Sequence, residues 1–306
     1  MAPAWAWSTE LVVNGSFEVN PGVGTTNFTG WTQVQQANSR GAFYVHSGSL
    51  TPVAHFSVPT PPLGSFAALT DQTGPGSRII YQDVAIPVGS MTILSLSLLI
   101  YNQANYFASP ASLDFTAVPN QQVRIDIMST ASSAFDVNVG VLRNVYQTQA
   151  GNALTQSYAK VSADLSAFAG QQVRLRIATV DNLGGMNVGI DNVGIQSTVI
   201  SPPGAPSIAS VQNGPGWTRF TLTQPASSGG GHIIGYTVTC SASGQDTVSR
   251  TDATTEVTMR ALKAGVSYSC TATAINEAYS SPASAALPVV ATGKVDLTPI
   301  LLLLLD

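Results

Sequence analysis

The chain has 306 residues, enough for two domains with full cores, and only 9 % of them are charged. Twelve Lys and Arg stand against 16 Asp and Glu, so the net charge of −4 gives no basic footprint for nucleic acid and no cationic amphipathic helix for a membrane surface. The low charge does not signal disorder, because 44 % of the residues are hydrophobic, and 27 Gly and 18 Pro suit short strands joined by many turns.

Met1–Trp7, MAPAWAW, lacks the basic and apolar regions of a secretion signal, although Ala4-Trp5-Ala6 has the small-x-small form of a cleavage site. From Ser8 to Ser197 the pattern is strand after strand. Ser65–Thr70 and Ser77–Val84 read as strands on either side of the turn signal Gly74-Pro75-Gly76. Met91–Tyr101 is longer and more apolar, as a central strand should be. Val123, Ile125 and Ile127 alternate with Arg124, Asp126 and Met128. Val173, Leu175 and Ile177 alternate with Arg174, Arg176 and Ala178. Each pattern gives one apolar and one polar face, the signature of a half-buried strand. Ala163–Gly170 reads as a turn or short helix leading into a strand, and no dozen-residue segment holds a helical period.

Gly185–Gln196, GMNVGIDNVGIQ, reads as the last strand of this region. Val188 and Ile190 share one phase, Val193 and Ile195 the other. A straight strand of period two cannot keep all four on one face, so a bulge is predicted at Asp191-Asn192. First and last strands of a sandwich are often neighbours. The Asp191 carboxylate is therefore expected to approach Leu11–Glu18, LVVNGSFE, with an ion between the two ends.

LVVNGSFE, Gly30–Gln33 (GWTQ), Asp164–Ile177 (DLSAFAGQQVRLRI) and Gly189–Ile195 (GIDNVGI) together resemble the galactose-binding-domain-like jelly rolls, which include carbohydrate-binding modules attached to bacterial glycosidases. Ala67–Val84 resembles a version common in bacterial secreted and surface proteins. The resemblance implies an all-β fold with two antiparallel sheets face to face over residues 8–197. It also implies a structural calcium held by Glu18 and Asp191 with main-chain oxygens, and Asn14 is a further candidate ligand. The alternative for these acids is ordinary turn capping.

Residues 198–203 are a Pro-containing linker. Residues 204–292 resemble a fibronectin type III domain, through Ile234, Gly235, Tyr236 and Val238, and then Leu262, Gly265, Tyr268, Ala274 and Asn276. Tyr268 is the expected corner tyrosine, and Leu222 stands where the family usually has Trp. The two cysteines, Cys240 and Cys270, lie on strands that are neighbours in that family's order and share a face. A disulfide is expected, with two buried thiols as the alternative; the disulfide implies an oxidising compartment. Residues 293–306 form a tail in which Ile300–Leu305 is far shorter than the roughly 20 residues of a membrane span.

No nucleophile elbow, zinc helix motif or paired cysteine ligands occur, and His46, His55 and His232 are scattered. Asp71 and Asp83 flank the TDQTGPGS turn; a capping role is favoured over catalysis. Sugars are gripped by aromatic faces and planar polar groups, which makes Trp31, Tyr44, Tyr81, Arg124 and Arg176 the candidate ligand contacts. For Trp31 a core position is the alternative, and for the arginines cross-strand ion pairs. The expected function is non-catalytic, secreted or cell-surface recognition of a glycan or polysaccharide, with calcium as a structural cofactor. The alternative is an adhesion or matrix protein whose domains are spacers.

Overall fold

The structure, a computed structural model, describes residues 8–292, so Ala4-Trp5-Ala6 and Ile300–Leu305 lie outside the described residues. It forms two compact units, one spanning Ser8–Thr198 and the other beginning at Val199. Among the described residues no helix is long and apolar enough to cross a membrane.

The N-terminal unit holds β1 (Ser8–Glu10), β2 (Thr32–Gln35), β3 (Ala42–His46), β4 (Ala67–Asp71), β5 (Gly76–Ala85), β6 (Ser90–Asn102), β7 (Gln121–Ser129), β8 (Val141–Gln147), β9 (Thr155–Asp164), β10 (Gln172–Asp181) and β11 (Met186–Val199). One sheet runs β3-β4-β11-β6-β9, with β1 also on β11; the other runs β2-β5-β10-β7-β8. Their inner faces make a jelly-roll sandwich around Phe17, Phe43, Leu94, Ile125, Leu175 and Ile190. Each such fully buried side chain contributes roughly 1.5–3 kcal/mol by leaving water. The stretch Ala163–Gly170 contains a single 3-10 turn, Ser166–Phe168. Asp164 fixes its start by accepting bonds from the Ser166 N–H and hydroxyl at 2.8 and 2.6 Å.

The bulge in β11 is present. Asn192 is exposed and adopts a left-handed φ of 50°, while Val188, Ile190, Val193 and Ile195 all reach the same core. The Val193 N–H then donates to the Gly15 carbonyl at 2.9 Å. A Cβ on Gly15 would lie 1.8 Å from the Val193 oxygen, so this junction admits only glycine.

One expectation is corrected here. β7 and β10 read as half-buried strands, but almost every residue of both is buried. Leu113, Phe115, Phe135 and Val137 fold over the outer face of their sheet and pack on Ile79, Ala178 and Val180. The polar residues on that face are covered by loops and face the covering chain.

The C-terminal unit holds β12 (Ser207–Gly214), β13 (Trp217–Thr223), β14 (Ile233–Ser241), β15 (Val248–Asp252), β16 (Glu256–Met259), β17 (Ser267–Asn276) and β18 (Leu287–Val290). Its sheets are β12-β13-β16 and β15-β14-β17-β18. Leu222 fills the expected Trp position and packs with Phe220, Tyr236, Val238 and Val257. The Tyr268 hydroxyl accepts the Lys263 N–H at 3.2 Å and ties the corner. Cys240 and Cys270 are register partners on β14 and β17, 4.1 Å apart at Cα, and form a fully buried disulfide.

Candidate functional site

The five candidate ligand contacts do not gather. Trp31 is 8 % exposed, lies 5.4 Å from the Phe17 ring, and donates its indole N–H to the Asn14 carbonyl at 3.1 Å. It is a core residue with its polar atom satisfied. Tyr44 alternates with the core residues Phe43 and Val45 and faces outward from β3. Tyr81 lies on the other sheet, where the Arg174 guanidinium stacks 4.1 Å above its ring and grips Asp83 with bonds of 2.6 and 2.9 Å.

Arg124 and Arg176 have another occupation. Arg124 forms two bonds to Asp126, at 2.7 and 2.9 Å, and Arg176 joins the same carboxylate. Arg176 also donates to the carbonyls of Ala134 and Asp136, which lie on the covering loop. Arg176 and Asp126 are wholly buried and Arg124 nearly so. Burial pushes the Asp126 carboxyl up, but the Arg124 bonds, the Arg176 charge and a bond from Asn144 outweigh it and hold it below the ordinary range. The triad pins the loop to the sheet and presents no guanidinium to a ligand.

Glu18 and Asp191 do approach one another, because segment 63–66 binds both. The Leu63 N–H donates to Asp191 at 3.0 Å, and the Ser65 and Phe66 N–H groups donate to Glu18 at 2.9 Å. Burial pushes the Asp191 carboxyl up to about 6, and the Glu18 charge adds to the shift. Asn14 has a different role. Its amide bonds the carbonyls of Val19 and Thr29, and its side-chain oxygen accepts the Val19 N–H, so it locks the turn that carries Glu18.

A cleft of about 390 Å³ opens where four loops of the N-terminal unit converge. Phe56 comes from the β3–β4 loop and Gln72 to Pro75 from the β4–β5 loop. Gln103 follows β6, and Asp181 to Gly185 and Asn187 come from the β10–β11 region. Under it, Arg78 and Asp181 form an ion pair of 2.8 Å, with side chains 1 and 2 % exposed, that closes this end of the sandwich. Burial pushes the Asp181 carboxyl up to about 6, and the Arg78 charge offsets only part of this.

The walls are tied from behind. Asp71 accepts the N–H groups of Val53 and Ala54 at 2.6 and 2.9 Å, and the Thr51 hydroxyl accepts that of Phe56 at 3.1 Å. Phe56 is thereby held out while 48 % exposed. Asp71 is a loop anchor on one sheet and Asp83 an Arg174 partner on the other, so they form no carboxylate pair. The signal that could have located the cleft was the pair of Gly-rich turns, Gly74-Pro75-Gly76 and Gly184-Gly185, each beside amide side chains. A Cβ on Gly184 would sit 2.9 Å from the Ala104 nitrogen, so the loops meet there only through glycine.

No curated protein matches this chain. Among solved structures it is similar to the K3 cleaved adhesin domain of Lys-gingipain from Porphyromonas gingivalis, at 10 % identity and a TM-score of 0.39 over 62 % of this chain and 99 % of that one. It is also similar to the carbohydrate-binding module TmCBM61, in complex with β-1,4-galactotriose, at 9 % identity and a TM-score of 0.36 over 61 and 97 % of the two chains. A human fibronectin type III domain is 24 % identical, with a TM-score of 0.27, over 31 % of this chain and 84 % of that one. Residues 201–290 match the family model described as Fibronectin type III domain. The C-terminal unit is therefore a fibronectin type III domain, and it follows a jelly-roll β-sandwich.

Proposed function

We propose that the N-terminal unit is a non-catalytic carbohydrate-binding module that takes its ligand in the loop-end cleft, beside a fibronectin type III domain, in a secreted or cell-surface protein. The observation that carries this reading is one exposed aromatic ring, Phe56, set over a concave wall of planar amides and a carboxylate. An apolar face for sugar C–H groups and fixed polar atoms for hydroxyls are what saccharide recognition needs. The buried disulfide suits an oxidising compartment. A glycan screen of the full chain, with β-1,4-galactotriose among its probes, tests the proposal. Phe56→Ala should weaken the binding found there by about five- to thirtyfold, since stacking and lost area are worth about 1–2 kcal/mol. Binding that resides in residues 201–290 instead would favour the spacer reading for the N-terminal unit.

We further propose that Glu18 and Asp191 hold a structural calcium. In support, the Glu18 charge adds to the upward shift of the Asp191 carboxyl, and one Glu18 oxygen accepts both of that residue's main-chain bonds. Among the described residues no three of His, Cys, Asp and Glu gather as a metal group, so further ligands would be main-chain oxygens. Chelator is expected to lower the melting temperature of the N-terminal unit and added Ca²⁺ to restore it, with Asp191→Ala abolishing the response. A melting curve indifferent to chelator, in protein free of bound metal, would leave the two acids as turn anchors.

A further inference from the structure

Most polar side chains that line the cleft are spent on the protein itself. The Gln72 amide nitrogen donates to the Met186 carbonyl at 2.7 Å, and that of Asn187 to the Thr70 carbonyl at 2.8 Å. Asn182 places both of its amide hydrogens on carbonyls, those of Phe115 and Val118, each at 2.8 Å. Asp181 is buried and held by Arg78 and the Gly76 N–H. Two side chains differ. Thr73 and Gln103 are exposed and line the cleft from separate loops, and among the described residues neither the hydroxyl nor the amide bonds another group.

Their main chains, by contrast, are fixed. The Gln103 N–H donates to the Gly185 carbonyl at 2.9 Å, and beside it the buried Asn102 side chain accepts the Ala104 N–H at 3.0 Å. The Gln121 amide joins the same Asn102 oxygen at 2.8 Å and the Gly184 carbonyl at 3.0 Å. Gly185 leaves the side chain its place, since a Cβ there would lie 3.0 Å from the Gln103 Oε1. Thr73 stands between Gln72, tied as above, and Gly74, whose carbonyl accepts from Arg78 at 3.1 Å. An open polar group on a fixed backbone gives up little freedom when a ligand arrives.

We infer that Gln103 orients the sugar, gripping two adjacent ring hydroxyls with its amide, and that the Thr73 hydroxyl makes a further polar contact. This rests on the proposal that the cleft is a saccharide site. A side-chain amide presents an acceptor and donors side by side in one plane. Adjacent pyranose hydroxyls present the complement. One O–H donates to the amide oxygen, and the neighbouring oxygen accepts from the amide nitrogen. In a 1,4-linked chain the adjacent pair left free on every ring is that at C2 and C3. The ligand class is therefore a pyranose chain with unsubstituted C2 and C3 hydroxyls, its C–H surface set against Phe56.

The test uses the full chain and titration calorimetry. The probes are β-1,4-linked galactose, glucose and mannose oligomers, each beside the same oligomer O-methylated at C2 and C3. At least one parent oligomer should bind, with its methylated form at least about fivefold weaker. Gln103→Ala should weaken that parent at least about fivefold and remove most of the difference between parent and methylated form. Thr73→Val, which keeps the shape and removes the hydroxyl, should weaken it about two- to twelvefold. Both side chains are exposed and unbonded, so neither variant disturbs folding. Binding that falls in Phe56→Ala but is unchanged in Gln103→Ala, or a methylated form that binds as well as its parent, overturns the inference and leaves the saccharide site standing. No binding by any probe, or binding that ignores Phe56→Ala and Gln103→Ala alike, overturns both.

Discussion

Asp126→Ala is expected to destabilise the N-terminal unit by about 3–5 kcal/mol, because it removes the one carboxylate shared by two buried guanidinium groups. Arg124 and Arg176 would be left in the sheet with no counter-charge, and Arg176 would still be clamped to the covering loop. Urea unfolding followed at Trp31, which sits in that core, reads the change. The exposed pair Arg250–Asp252 in the other unit is the control, and Asp252→Ala should cost less than about 1 kcal/mol. A loss as small as the control's in Asp126→Ala would mean that the triad is dispensable. The pH dependence has a definite sign. A carboxyl held below its ordinary range contributes stability above the unfolded value, near 4, and that contribution is lost as pH falls through the folded value. Asp181 acts the other way. Its carboxyl is raised to about 6, so its contribution is greatest below about 4 and is lost as pH rises through about 6. Between them, these two groups favour a stability maximum on the acid side of neutrality.

Replacing Cys240 and Cys270 with alanine is expected to cost the fibronectin type III unit roughly 3.5 kcal/mol. The bond closes a loop with a sequence separation of 30, and a loop of that length loses about this much entropy in the unfolded chain. Both cysteines are fully buried, so reductant should act only when the unit opens. Calorimetry with and without the double substitution should show one transition moving down while that of the N-terminal unit stays. An unmoved transition would mean that the buried cores of β14 and β17 hold without the crosslink.

Much of the fold was legible because alternation and turn residues act locally. The phase change along Val188–Ile195 foretold the bulge at Asn192. The fibronectin type III strand order, with Cys240 and Cys270 on one face, foretold that these two residues meet. What was not legible came from distant returns of the chain. Arg124 and Arg176 alternate with core residues and so read as solvent-facing, yet segment 134–137 comes back over them. Trp31 was open to either reading until Phe17 was seen beside it. The cleft was invisible for a related reason. Phe56, Gln72, Gln103 and Asp181 share no periodicity, and only the packing of four loop ends gives them a common surface.

The pairing of β1 with β11 has a mechanical consequence. The unit is entered at Ser8 and left at Thr198, and these two residues are register partners at the same end of an antiparallel pair. Tension along the chain would therefore load the rungs Ser8–Thr198, Thr9–Ser197 and Glu10–Gln196 one after another, as a zipper is opened, with no simultaneous shear. The Glu10 side chain bonds the Ile195 N–H at 2.8 Å and the Gln196 amide at 2.6 Å, just past the last rung. A pulled molecule would peel three residues at low force and then stop at that carboxylate, with the sandwich and its cleft still closed.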